Sequence, residues 1–282
     1  MTYQTIVTEM RNGIFILRQN RPEKLNARNA QMYVEIMSAL SLAAEDPEVA
    51  VVVLTAVGRF FSAGMDFDND PRLAYSVLPE DSIRTAQIKR SLPKRDENDV
   101  RTWLPVMFIE AFIDFNKPLV GAVNGPAIGE GFSSLLHCDL IFATQSAYFW
   151  APFARAGVAP EFCSTLLMPK RLGKSLASAA LYLGKRISAA EAKSAGFVLE
   201  LLSDGDEFEP AVLSRIESGL ALTGPPELRS KTLAAYKALI DQESDRETLR
   251  KQCHSEFELI REKGRSGETD RVQAYYRSEL PN

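Results

Sequence analysis

Leu119-Val120-Gly121-Ala122-Val123-Asn124-Gly125-Pro126-Ala127-Ile128-Gly129-Glu130-Gly131-Phe132-Ser133 decides the architecture. Its first five residues are an apolar run without alternation, as in a strand buried on both faces. Gly125, Gly129 and Gly131 with Pro126 then form a tight turn, and Phe132 to His137 reads as helix. A helix that begins there aims amide donors and the positive end of its dipole at a developing anion. The same strand–turn–helix order recurs on both sides. Val49–Thr55 is a β-branched run leading into Phe60-Phe61-Ser62-Ala63-Gly64-Met65-Asp66, and Leu140–Ala143 and Gly196–Leu202 are further buried strands. Thr5–Glu9 and Ile14–Arg18 flank Asn12-Gly13, a hairpin signal. Asn26 to Ala44 carries Met32, Ile36, Leu40 and Ala43 at helical spacing. Repeated units of this kind predict an α/β fold.

Phe67 to Asn116 breaks the rhythm with charges and with Pro71, Pro79, Pro93 and Pro105. Connections that long are usually functional or disordered. Trp103, Val106, Met107, Ile109 and Phe112 predict a helix in its second half. From Glu207 to Arg277 the chain turns charged and helix-forming, broken at Gly224-Pro225-Pro226 and Gly264, and helices of this kind often cross onto a neighbouring subunit. By character the chain divides into a core, 1–202, and a helical region, 203–282.

A chain of 282 residues with 45% hydrophobic content buries a sizeable core. A net charge of -4 argues against a nucleic-acid partner. Cys138, Cys163 and Cys253 are spaced outside any metal-ligand pattern and read as reduced thiols. With His137 and His254 as the two histidines, neither a metal site nor a histidine triad is expected. The N-terminal residues lack a basic segment followed by an apolar one. No apolar run reaches the roughly 18–20 residues of a membrane span. Ser278-Glu279-Leu280-Pro281-Asn282 is not a peroxisomal tripeptide. A soluble, cytoplasmic protein with no membrane partner is the expectation.

Three constellations carry chemistry. Arg21-Pro22-Glu23-Lys24-Leu25-Asn26-Ala27 is a turn and helix entry, with Asn26 as a candidate cap, or part of a site. Phe60 to Asp66 ends a buried strand in small residues that let amides face a ligand. Asn124–Ser133 is the Gly-rich turn. Downstream lies Phe149-Trp150-Ala151-Pro152-Phe153-Ala154-Arg155-Ala156-Gly157-Val158-Ala159-Pro160-Glu161-Phe162-Cys163-Ser164. One acid, Glu161, near one Gly-rich turn suggests proton transfer by a single base rather than addition of water by two acids.

In this order and spacing the segments resemble the crotonase (enoyl-CoA hydratase/isomerase) superfamily, from about Thr5 to Leu202. Further matches are His137-Cys138-Asp139-Leu140-Ile141, Arg171-Leu172-Gly173 and Leu183-Gly184-Lys185-Arg186-Ile187-Ser188-Ala189-Ala190-Glu191-Ala192 running to Gly196. The resemblance implies a spiral core of ββα units and a C-terminal helical region that builds homotrimers, often paired into hexamers. It implies an acyl-CoA substrate and no cofactor, coenzyme A being part of the substrate. The thioester oxygen would be held by two backbone N–H groups, at Met65 and Glu130. Leu25, Asn26, Ala27, Ala63, Gly64, Asp66, Phe67 and Gly129 would line the CoA and substrate side, largely through backbone.

Where the family's hydratases carry two glutamates, this chain has Ser133 and Phe153, so ordinary hydratase activity is expected to be lost. Glu161 stands where Δ3,Δ2-enoyl-CoA isomerases of the peroxisomal kind place their base, amid Pro152-Phe153, Gly157, Pro160-Glu161, Cys163-Ser164, Leu167 and Pro169. The resemblance thus implies an isomerase in which one carboxylate takes a proton from C2 and returns it at C4. Trp150, Phe153 and Phe162 are candidates for an apolar wall that raises the pKa of that base. Trp103 and Met107 line the acyl end of the pocket or fill core. The Glu130 side chain points away from the site or is a second acid in it. Ser133, Ser134 and Cys163 lack a histidine to activate them and read as packing residues, and His137 as packing within its helix. Two other readings stand beside this one. Glu161 is a nucleophile, as the aspartate is in aroyl-CoA dehalogenases, which also need a histidine from the long loop and a tryptophan in place of Phe153. Or the chain is an acyl-CoA-binding scaffold without catalysis.

Overall fold

Around Asn12-Gly13 the hairpin forms, with β1 (Ile6–Arg11) antiparallel to β2 (Ile14–Gln19). The computed structural model describes residues 3–67, 92 and 94–279. Among these, β3 (Val51–Ala56), β4 (Leu119–Val123), β6 (Leu140–Thr144) and β9 (Glu200–Leu202) continue the sheet, each parallel to its neighbour, in the order β1-β2-β3-β4-β6-β9. Every residue of β3 and β4 is buried, as their unalternating apolar runs require. A second, three-stranded sheet runs β5-β7-β8, from β5 (Ala127–Ile128), β7 (Tyr148–Trp150) and β8 (Ile187–Ser188). The last expected strand is shorter than its apolar run, because Gly196 to Leu199 form a turn and its exit rather than paired strand.

Helices close both faces of the large sheet. In chain order they are α1 (Ala30–Glu45), α2 (Leu104–Ile113), α3 (Glu130–Ser133), α4 (Phe153–Ala156), α5 (Ser164–Leu172), α6 (Lys174–Leu183), α7 (Ala189–Ser194), α8 (Phe208–Ala221), α9 (Pro226–Ile240), α10 (Glu243–Arg265) and α11 (Glu268–Glu279). The first helix starts later than its periodicity suggested. Asn29, not Asn26, is its cap, accepting a 3.0 Å bond from the Met32 amide. Asn26 instead takes a left-handed φ of 54° in the preceding turn. The helix expected in the second half of the 67–116 segment is α2; residues 68–91, with Pro71 and Pro79, lie outside the described residues.

One face of the sheet packs on α8, whose Val212, Leu213 and Ile216 meet Ile14, Ile16, Val53 and Val120. The other belongs to the larger core with α1, α2 and part of α10. Cys253, Phe257 and Ile260 are spaced to share one face of α10 and are buried in that core. The expectation that helices of this region leave for another subunit therefore does not describe α10, which packs on α2 of its own chain. Among the described residues no helix is long and apolar enough to cross a membrane.

Candidate active site

The turns after β3 and β4 lie against each other. A bridge joins Ser62 to Ala127, and the Ile128 amide donates to Ser62 O at 2.9 Å. Gly64 shows how close the approach is: a Cβ there would sit 2.9 Å from Ile128 O and 3.6 Å from the Glu130 amide nitrogen. Its φ of 92° excludes a side chain on a second ground. Gly129 turns with φ 53° and delivers Glu130 at the first position of α3. Met65 and Glu130 both line one cavity of about 130 Å³. Among the described residues neither of their amides donates to a protein acceptor.

Residues of the first constellation brace these turns from behind. Asn26 is fully buried, accepts from the Arg21 amide at 2.8 Å and donates to Val57 O and Phe60 O. Leu25 O accepts from the Ala63 amide at 2.9 Å. Arg21 donates to Ala27 O and pairs with Asp66 at 2.8 Å. Of the nominated substrate-side residues, Ala63, Gly64, Phe67 and Gly129 line the cavity, whereas Leu25, Asn26, Ala27 and Asp66 stand behind its turns.

Glu161 is 7% exposed and lines the same cavity as Met65 and Glu130. The surrounding wall is apolar: Ile128, Phe153, Val158, Phe257 and Ile260. Four aromatic or sulfur-bearing nominees are not on it. Phe162 follows Glu161 with φ 58°, which turns its ring into a cluster with Phe108 and Phe112 at 5.7 and 5.6 Å. Trp103 packs edge-on against Phe257 and donates its indole N–H to Asp96 O at 3.0 Å. Met107 packs half-buried on the core, so for both residues the core-filling alternative holds. Trp150 likewise turns outward, with its N–H on Gly184 O and Arg186 over its ring. Phe257 and Ile260 went unrecognised in the sequence. The apolar spacing along α10 was legible, but its destination over the cavity was not.

The Glu130 side chain turns into a buried network. It pairs with Arg28 at 3.2 Å and accepts from the Tyr33 hydroxyl. Arg28, itself fully buried, also donates to Gln19 at 2.7 Å, and Tyr33 stacks on Phe108 at 4.1 Å. Burial pushes the Glu130 carboxyl above its usual range against the pull of Arg28. Burial, then the charges of Glu130 and Glu161, raise the Tyr33 phenol well above its ordinary value, which places Tyr33 in electrostatic reach of both acids. Ser133 and Ser134 spend their hydroxyls on Gly129 O and Gly131 O.

His137 does not confine itself to its own helix. Its Nε2 reaches Phe162 O at 3.1 Å, beside Glu161. Glu256 of α10 accepts from the Cys163 and Thr165 amides at 2.8 and 3.1 Å. Burial pushes its carboxyl up to about 8, opposed chiefly by the hydrogen bond from the Thr165 hydroxyl. No signal in the sequence joins Glu256 to a segment some ninety positions away. Among the described residues no group of three or more His, Cys, Asp or Glu side chains is disposed to hold a metal ion.

Comparison with known proteins places this geometry. The family model described as enoyl-CoA hydratase/isomerase matches residues 9–84 and 93–276. The human protein named enoyl-CoA delta isomerase 2 is 33% identical over 216 residues, 77% of this chain and 50% of its own length. The mouse chromodomain Y-like protein is 34% identical over 249 residues, 87% of this chain and 39% of its own. The chain thus spans half or less of the length of these two relatives. A crystal structure described as enoyl-CoA hydratase/isomerase from Pseudoalteromonas atlantica T6c superposes with a TM-score of 0.80 at 29% identity, covering 99% of both chains. The chain belongs to the enoyl-CoA hydratase/isomerase family and has the crotonase fold.

Proposed function

We propose that the protein is an acyl-CoA double-bond isomerase that converts a 3-enoyl-CoA to the 2-trans-enoyl-CoA, with Glu161 as the proton shuttle. The observation that carries this reading is the placement of acids. Among the described residues, Glu161 and Glu130 are the acids on the cavity, and the Glu130 carboxyl is engaged by Arg28 and Tyr33. Glu161 thus lies on an apolar cavity bordered by two turns whose Met65 and Glu130 amides, among the described residues, donate to no protein acceptor. The name of the human relative supports the same assignment.

In this mechanism the Glu161 carboxylate removes a proton from C2 of the thioester. The electron pair moves through the C2–C1 unit onto the thioester oxygen and gives a dienolate. The Met65 and Glu130 N–H groups donate to that oxygen, and such donors count most where charge develops. Glu161, now a carboxylic acid, returns the proton at C4 and the double bond comes to rest between C2 and C3. No atoms are gained or lost. Phe153, Val158, Phe257 and Ile260 give the dienolate an apolar wall. Coenzyme A enters as part of the substrate, and no other cofactor is needed. Homotrimeric or hexameric assembly is part of the same reading. Exposed Leu239, Ile240 and Tyr236 on α9 offer apolar surface for it.

The test is conversion of a trans-3-enoyl-CoA, followed by the absorbance of the conjugated product, in the parent protein and in Glu161→Gln. Loss of a general base lowers kcat by roughly 10²–10⁴, and CoA-ester binding should survive. Equal rates in both would remove Glu161 from the mechanism. Binding without turnover in the parent protein would favour the scaffold reading.

A further inference from the structure

Two consecutive residues after Glu161, Phe162 and Cys163, hold φ of 58° and 54°. Left-handed backbone is disfavoured for residues with a Cβ, and a pair of them persists only where surrounding contacts over-determine it. The turn closes on itself through the Ser164 amide, which donates to Glu161 O at 3.1 Å, and further contacts come from outside it. The Phe162 carbonyl accepts from His137 Nε2 at 3.1 Å, so that nitrogen carries the proton. The Cys163 amide donates to Glu256 Oε2 at 2.8 Å, while Thr165 gives its amide to Oε1 at 3.1 Å and its hydroxyl at 2.5 Å. The Cys163 thiol meets Leu249 O, again on α10, at 3.1 Å. Glu256 is 4% exposed, and its two oxygens are spanned by three donors that straddle the start of α5.

We infer that Glu256 and His137 are positioning residues: they hold the Glu161-Phe162-Cys163 turn in the left-handed form that presents the Glu161 carboxylate to the cavity. The inference rests on the reading of Glu161 as the proton shuttle. The same helix that walls the cavity with Phe257 and Ile260 would thereby also set the aim of the base.

Glu256→Gln is the direct perturbation. Its amide nitrogen would oppose one of the two backbone donors, leaving donor against donor where an acceptor stood. Well below the unfolding temperature, kcat with a trans-3-enoyl-CoA should fall about tenfold or more, with KM within about twofold. In a Glu161→Gln background the same change should add almost nothing, because the shuttle it aims is already gone. His137 supplies a milder pair. His137→Gln keeps an N–H donor near Phe162 O and should retain most of the rate, while His137→Leu should lose several-fold. A second readout needs no turnover: carboxyl NMR titration of Glu161, whose midpoint should shift in Glu256→Gln as the carboxyl leaves its cavity setting. A lowered melting temperature with parent kcat, KM and Glu161 titration would overturn the inference and make Glu256 a structural tie. A parent protein inactive on 3-enoyl-CoA would instead sink the isomerase reading, leaving the positioning claim to stand or fall on the titration.

Discussion

Removing Arg28 tests the buried network under the site. Its guanidinium is 0% exposed and the Glu130 side chain 1%, with 3.2 Å between them. Arg28→Met leaves Glu130 with the Tyr33 hydroxyl and no cation in a place water does not reach. Breaking a buried pair by deleting one partner costs about 3–5 kcal/mol. At roughly 2–4 °C per kcal/mol for chains approaching this size, that is a fall of about 6–20 °C in Tm. The deficit also depends on pH, with a sign the burial dictates. Glu130 is already raised above its ordinary 4.5 by burial, and losing Arg28 removes the pull that opposed it. A carboxyl raised in the folded state contributes its stability below the unfolded value and loses it as pH climbs through the folded value. The deficit of Arg28→Met should be smallest near pH 5 and grow toward pH 8. Arg28→Met/Glu130→Gln, which leaves no buried charge, should recover much of the loss and be flat with pH. Urea unfolding of the parent and these variants at both pH values measures this. A single-variant deficit below about 1 kcal/mol at pH 8, or one equal at both pH values, would refute the claim that the pair is a buried ionic couple.

Two other substitutions probe the cavity. Gly64→Ala puts a methyl 2.9 Å from Ile128 O at φ 92°. It should cost at least about 1 kcal/mol of stability and lower kcat toward the roughly 10²–10³ of a lost oxyanion donor; a parent-like kcat in steady-state kinetics would contradict the placement of the two turns. Phe257→Ala should cost about 3–5 kcal/mol in denaturant unfolding and open the wall, raising kcat/KM for long 3-enoyl-CoA chains relative to short ones. An unchanged ratio would move the acyl group away from α10.

The local elements were legible in the sequence because their signals are local. A hairpin at Asn12-Gly13, buried strands at Leu119–Val123 and within Val49–Thr55 (observed as Val51–Ala56), and a tight turn through Gly129 each follow from backbone preference and periodicity within a few residues. Their combination also sufficed to name the family. Misplaced features were those in which one local signal competed with another. Asn26 has the chemistry of a cap, yet it serves a left-handed turn braced by Val57 O and Phe60 O, and Asn29 takes the cap. Phe162 and Trp150 are aromatic neighbours of the cavity, and backbone direction turns both away from it.

By itself, then, the sequence determined the order of strands and turns, the single acid after Pro160 and the absence of acids at Ser133 and Phe153. Tertiary structure alone decided where the Glu130 carboxyl goes, since Arg28 and Tyr33 meet it across some hundred positions. It also decided that α10 returns to its own core, bringing Phe257 to the cavity wall and Glu256 to the Cys163 amide. Periodicity marks which face of a helix must leave water, because burial free energy depends on area and not on partner. Which partner receives that face, and which buried charge finds its counter-charge there, depends on packing among segments far apart in the chain, and that information exists only once the chain is folded.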